Sequence, residues 1–141
     1  MPLEFVAYKG DQFTVEWYHS PTGESQALNY YRALATADRI KVLKLFKLIG
    51  DTGKIRDEAK FRNEGDKIFA FKPQPHRFLS FFVKGRKIIV TNAFWKKQDK
   101  LPPEEKRRAL DCMESYIHRV TESNYYEKDE GEKSGKRKSK S

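Results

Sequence analysis

Residues 76–95, HRFLSFFVKGRKIIVTNAFW, hold two runs of aromatic, aliphatic and β-branched residues on either side of Lys84-Gly85-Arg86. Neither run contains proline, and each is too short for a helix of average length. A glycine between two such runs commits the chain to an antiparallel hairpin, because glycine reaches the positive φ that a tight hairpin turn requires. The spacing predicts strands at His76–Lys84 and Lys87–Trp95, with a two-residue turn at Lys84-Gly85 or Gly85-Arg86. A third strand, Ile68–Lys72, precedes them across the short link PQP (73–75). An isolated hairpin is marginal in water, so the rest of the chain must cover this one.

The flanking segments supply the cover. LEFVAY (3–8) alternates weakly; FTVEWYH (13–19) alternates cleanly, with Phe13, Val15 and Trp17 on one face and Thr14, Glu16 and Tyr18 on the other. Ser25 is a helix N-cap, and the helical period runs from there to Gly50 in two helices, with Thr36 or Asp38 capping the second. Val42, Leu45, Phe46 and Ile49 make its buried stripe, and Lys41, Lys44 and Lys47 a solvated face. The polar stretch 51–67 reads as a connection with little regular structure. A last helix starts with Pro103 near N1 and Glu104 and Glu105 at the positive end of its dipole; its apolar face is Ala109, Leu110, Met113, Ile117 and Val120. The expected class is α+β: a small antiparallel sheet packed against helices, in the order β-αα-βββ-α, with an extra N-terminal strand allowed.

A chain of 141 residues is long enough for one domain with a core of its own. Its single cysteine, Cys112, excludes an internal disulfide and suits a reducing cytoplasm. No segment is long and apolar enough to span a membrane, and the N-terminus lacks the apolar stretch of a secretory signal, so a cytoplasmic protein without membrane contact is expected. The net charge is +9, which favours an anionic partner. Residues 127–141, EKDEGEKSGKRKSKS, contain no apolar side chain and are expected to be a disordered basic tail. They hold six of the 29 basic and four of the 20 acidic residues, so the expected domain, 1–126, keeps a net charge of +7.

In a hairpin turning near Gly85, the start of the first strand lies beside the end of the second. Arg77 then shares a face with Phe94 and Lys96, while His76 shares the other face with Trp95 and Lys97. The PQP link lies at the same edge and brings Lys72 with it. Lys72, His76, Arg77, Lys96 and Lys97 therefore converge, and no Asp or Glu occurs between residues 67 and 98. Strand ends are ordinary places for single lysines. Five such groups without carboxylates would repel one another unless an anion occupied the site. A guanidinium fork suits phosphate, and aromatic faces stack with bases, so the pattern fits a phosphodiester.

Residues from about Phe13 to Tyr116 resemble the HigB-like branch of the RelE/ParE superfamily, the toxins of type II toxin–antitoxin modules, including the phage-derived HigB-like proteins. The resemblance rests on VEWYHSPTGES, on LFKLIGDTG, and most of all on IFAFKPQPHRFLSFFVKGRKIIVTNAFWKKQDKLPPEEKRRA. It implies a RelE-like fold and a metal-independent endoribonuclease that cleaves translated mRNA on the ribosome by attack of a ribose 2′-OH on the adjacent phosphate. It also implies a cognate antitoxin, of helix-turn-helix type, as partner. Arg77 would stabilise the transition state. Lys96 and Lys97 would bind phosphate, one of them donating a proton, and His76, whose unperturbed pKa is near neutral, is a candidate base. Lys72, Phe94 and Trp95 would contact RNA. Tyr116, Tyr125 and Tyr126 do not match the family's terminal acid–base positions.

No cofactor is implied, and His19, His76, His118 and Cys112 are scattered without metal-ligand spacing. Cys112 reads as an inert thiol on the last helix. The competing reading is a non-catalytic ParE-like toxin or a nucleic-acid-binding phage-derived protein on the same fold.

Overall fold

The computed structural model describes residues 4–126. The expected tail, 127–141, lies outside the described residues. Nine elements follow in order: β1 (Val6–Lys9), β2 (Thr14–Trp17), α1 (Gln26–Arg32), α2 (Thr36–Thr52), β3 (Phe61–Asn63), β4 (Phe69–Phe71), β5 (His76–Val83), β6 (Lys87–Trp95) and α3 (Pro103–Thr121). The six strands form one sheet in the order β1-β2-β6-β5-β4-β3. The β4-β5-β6 meander is antiparallel, as the hairpin pattern predicts. The sheet as a whole is mixed, because β2 runs parallel to β6; the two helices between β2 and β4 carry the chain across one face and allow that return.

The alternation of the strands sorts their side chains into two cores. On one face α1 and α2 bury Ala27, Leu28, Val42, Leu45, Phe46 and Ile49 against Val15, Trp17, Phe71, Phe78, Ile88 and Val90. Phe46 meets Phe71 and Phe78 edge-on, and full burial of each such ring stabilises the fold by roughly 1.5–3 kcal/mol. On the other face α3 and Tyr125 cover Tyr18, Ile68, Ala70, Leu79, Phe81 and Ile89. The result is three layers.

Several sequence expectations are corrected in detail. Phe61–Asn63, read as irregular, pairs with β4; the run is too short to show a period. The second helix starts after Ala35, which makes no side-chain cap, so neither Thr36 nor Asp38 serves, whereas Ser25 Oγ accepts the Leu28 amide of α1 at 3.3 Å. On α3, Ile117 and Val120 are exposed and Arg119 is buried. The guanidinium of Arg119 donates to the Tyr18 hydroxyl, the His19 carbonyl and Ser115 Oγ, and lies 4.7 Å from the Tyr125 ring centre, a set of partners invisible to a hydrophobic pattern.

The hairpin departs from a two-residue turn twice. Val83 pairs with Lys87, leaving a three-residue loop in which Gly85 and Arg86 both have positive φ. Thr91 then forms a bulge, because Leu79 faces Asn92 while Ser80 faces Val90. The loop shifts the pairing by one residue and the bulge shifts it back, so Arg77 faces Phe94 as a two-residue turn at Gly85-Arg86 would have it.

Candidate nucleic-acid interface

Arg77 is the second residue of β5, on the α3 side of the sheet. Its partner is Phe94, and Lys96 lies two residues further along the same face. Lys72 follows the last residue of β4, Phe71, which pairs with Phe78, so it stands beside Arg77. These side chains line a concavity with Arg62 and Glu64 from the β3 hairpin and with Gln98, Asp99, Lys100 and Leu101 from the β6–α3 connection.

The cations are held in place by neutral acceptors more than by carboxylates. Arg77 is 9 % exposed and donates to Gln74 Oε1 at 3.1 Å and to the His76 carbonyl at 2.9 Å. Burial lowers its pKa, while Glu64 and Asp99 oppose the shift. Lys72 donates to the Glu58 carbonyl at 2.9 Å; burial first, then Arg77, Arg62 and Lys96, lower its pKa. Lys96 pairs with Asp99 at 2.9 Å, but that carboxylate is 99 % exposed, so the pair is screened and weak. Its neighbour Lys96 holds the Asp99 carboxyl below the usual carboxylate range. The concavity thus presents Arg62, Lys72, Arg77, Lys96 and Lys100 against two carboxylates, Glu64 and Asp99. Partly desolvated cations grouped in this way can hold an anion.

Of the residues singled out in the sequence, Lys72, Arg77, Phe94 and Lys96 meet here. His76 does not. It is 3 % exposed on the α1/α2 side, with Nδ1 2.8 Å from the Tyr30 hydroxyl and Nε2 3.3 Å from Asp38, so both ring nitrogens are engaged in tying α1 and α2 to the sheet. Trp95, 57 % exposed, meets His76 edge-on, and with Lys97 it borders a separate groove beside Gln26, Tyr30 and Glu104. Phe94 stands between the two depressions and lines both. The strand alternation anticipates this division; what it does not anticipate is the engagement of both His76 nitrogens.

Arg62, Glu64 and Lys100 escape the sequence reading. The first two lie in 51–67, and the signal available is FRN and FAF flanking EGDKI, a short hairpin whose turn holds Gly65 at φ 90°. The sequence interval 67–98 is free of carboxylates, but tertiary structure supplies Glu64 from one side and Asp99 from the other.

A small α+β domain with a cationic concavity at one end of its sheet is the class these features define. The chain belongs to the family described as phage derived protein Gp49-like (DUF891), whose model matches residues 29–114. That family is part of the RelE/ParE-like toxin superfamily. The match takes in every residue of the concavity and leaves out β1, β2 and the Tyr125-Tyr126 pair. No curated protein matches the sequence.

Proposed function

We propose that this protein is the toxin of a type II toxin–antitoxin module, of the HigB-like branch, and that it cleaves mRNA at the Arg77 concavity. The observation that carries the reading is the grouping of Arg62, Lys72, Arg77 and Lys96 with Glu64 in one concavity. Cleavage by the ribose 2′-OH needs a proton acceptor, cations for the phosphoryl oxygens and a proton donor for the leaving oxygen. In this reading Glu64 accepts the 2′-OH proton while the 2′-oxygen bonds to phosphorus. Arg77 and Arg62 hold the phosphoryl oxygens. As the bond from phosphorus to the 5′-oxygen breaks, Lys72, whose lowered pKa makes its ammonium the better acid, protonates that oxygen and leaves a 2′,3′-cyclic phosphate. Lys96 binds the phosphate, and Phe94 offers a face to a base. Ribosome association and a small helix-turn-helix antitoxin complete the proposal.

A second reading, a nucleic-acid binder that does not cleave, is favoured by the engaged imidazole of His76 and by the Tyr116, Tyr125 and Tyr126 hydroxyls, which bond within the α3 core instead of facing the concavity. Incubating purified protein with translated messages separates the two. The cleaving toxin cuts them, and Arg77→Ala reduces cutting by about 100-fold or more with an unchanged circular dichroism spectrum. Uncut messages with retained RNA binding leave the second reading. Co-expression with a neighbouring small protein that co-purifies and restores growth supports the antitoxin; failure on both counts removes it.

A further inference from the structure

Lys72 lines a second depression as well as the Arg77 concavity. On its other side, between α2 and the loops that flank β3 and β5, lie Lys41, Lys44 and Lys60 over an apolar floor of Leu45, Ala59 and Pro73. No carboxylate lines this cleft, whereas the depression on the opposite flank, beside Trp95, carries Glu104 and Glu105 with Lys97 as its single cation. The lysines of α2 are therefore not equivalent. Lys47 points elsewhere and is paired with Asp51 at 2.9 Å. Lys44 makes no ion pair among the described residues, and Lys41 has only Asp38 at 3.7 Å and the Gln74 carbonyl at 3.4 Å.

We infer that the α2 cleft is a second phosphate-binding subsite, in which an RNA single strand leaving the Arg77 concavity passes over Lys72 and continues along Lys60, Lys41 and Lys44. The inference rests on the nucleic-acid reading above and gives it a direction. A strand leaving toward Trp95 would bring its phosphates to Glu104 and Glu105; leaving over Lys72, it enters a cleft that no carboxylate lines. The alternation of lysine rim and apolar floor also suits single-stranded nucleic acid, which presents phosphates at its edge and unpaired base faces between them. A duplex, with its bases stacked inside, would leave that floor bare.

The test uses the full chain and 2′-O-methyl oligouridylates, in which the attacking hydroxyl is blocked, with binding followed by fluorescence anisotropy. Wild type, Lys41→Gln/Lys44→Gln, Lys47→Gln and Arg77→Ala are each titrated with a trinucleotide and a dodecanucleotide at several salt concentrations. The expected result is that the double variant weakens the dodecamer by roughly tenfold and flattens its salt dependence by about 1.4, near 0.7 for each single-strand phosphate that a lysine no longer neutralises. The trinucleotide is unaffected by that variant, Lys47→Gln changes neither ligand, and Arg77→Ala weakens both. Equal weakening by Lys47→Gln, or a dodecamer indifferent to the double variant, overturns the subsite. If Arg77→Ala still weakens both ligands in that case, the Arg77 site stands and only the subsite falls; a wild type that binds neither oligomer removes both. A polyglutamate peptide that displaces the dodecamer as well as unlabelled RNA does, with the same weakening in the double variant, assigns the cleft to an acidic protein partner and overturns the RNA assignment.

Discussion

Lys72 carries its charge against burial and against Arg77, Arg62 and Lys96, and its pKa is held below the ordinary 10.5 as a result. In the interval between the lowered folded value and the unfolded one, the unfolded chain binds more protons, so stability rises with pH across it. Below the folded value the cost of the charge is present in full. Lys72→Gln removes that cost while leaving a polar group near the Glu58 carbonyl. The variant is expected to melt above wild type at pH 7, the gap narrowing as pH approaches 10.5, and to bind RNA more weakly, its salt slope reduced by about 0.7. Thermal scans at pH 7 and 9.5 check the first part; a variant that melts lower shows that Lys72 holds the loop and is not strained by its neighbours. Cys112 is the opposite kind of residue. Burial, with Asp111 adding to it, pushes its thiol up to about 11, so its labelling by a thiol reagent at pH 8 should run roughly a hundredfold slower than that of free cysteine. Rapid labelling of the folded protein would contradict that environment.

At the level of elements, the β1–β2 turn and the end of α2 are clamped together. The Gly50 carbonyl accepts the amides of Gln12 and Phe13 at 2.7 and 3.0 Å, and a Cβ on Gly10 would stand 2.2 Å from the Gly50 carbonyl carbon. Backbone meets backbone here, so no side chain can give way. Gly10→Ala is expected to destabilise the protein by about 2–4 kcal/mol, read as a lower denaturation midpoint, without touching the cationic site. A change below about 0.5 kcal/mol would show that the turn moves off α2 freely. A second clamp joins β2, β6 and the end of the described chain. The carboxylate of Glu16, nearly buried, accepts the Tyr126 hydroxyl at 2.7 Å and lies 3.4 Å from Lys87 Nζ. Desolvation and Glu16 together raise the Tyr126 pKa, which keeps the phenol a donor. Lys87→Met leaves the Glu16 charge with the phenol alone and should cost about 2–3 kcal/mol, the low end for a broken buried pair because Lys87 is a third exposed.

For the molecule as a whole, Tyr125 and Tyr126, the last of the described residues, belong to the core on the α3 side. The Tyr125 ring is 1 % exposed within the α3 core, and its hydroxyl accepts the His19 amide at 2.9 Å. A chain ending at Tyr126 is expected to unfold cooperatively with an unchanged midpoint, whereas one ending at Asn124 uncovers the rings of Phe5, Tyr18 and Tyr116 that pack on Tyr125 and should lose several kcal/mol. Denaturant titration of both truncations decides the boundary: equal midpoints would move it toward the N-terminus. No helix among the described residues is long and apolar enough to cross a membrane.

Period and turn chemistry in the sequence were enough to determine the β4-β5-β6 meander, the stripe of α2, the Pro103 start of α3 and the face shared by Arg77, Phe94 and Lys96. Those features depend on neighbours within one element or across one hairpin, where a spacing of two or of 3.6 residues is a sufficient rule. Even there the agreement came about by cancellation, a three-residue loop offset by the Thr91 bulge. Tertiary structure alone decided the parallel pairing of β2 with β6, the burial of Arg119, the engagement of both His76 nitrogens and the arrival of Arg62 and Glu64 beside Arg77. Each of these sets side by side residues from elements that no local period links. A charge in the sequence is only a charge; the distance to its partners, and the water removed between them, makes it a strut in the core or a hand for phosphate.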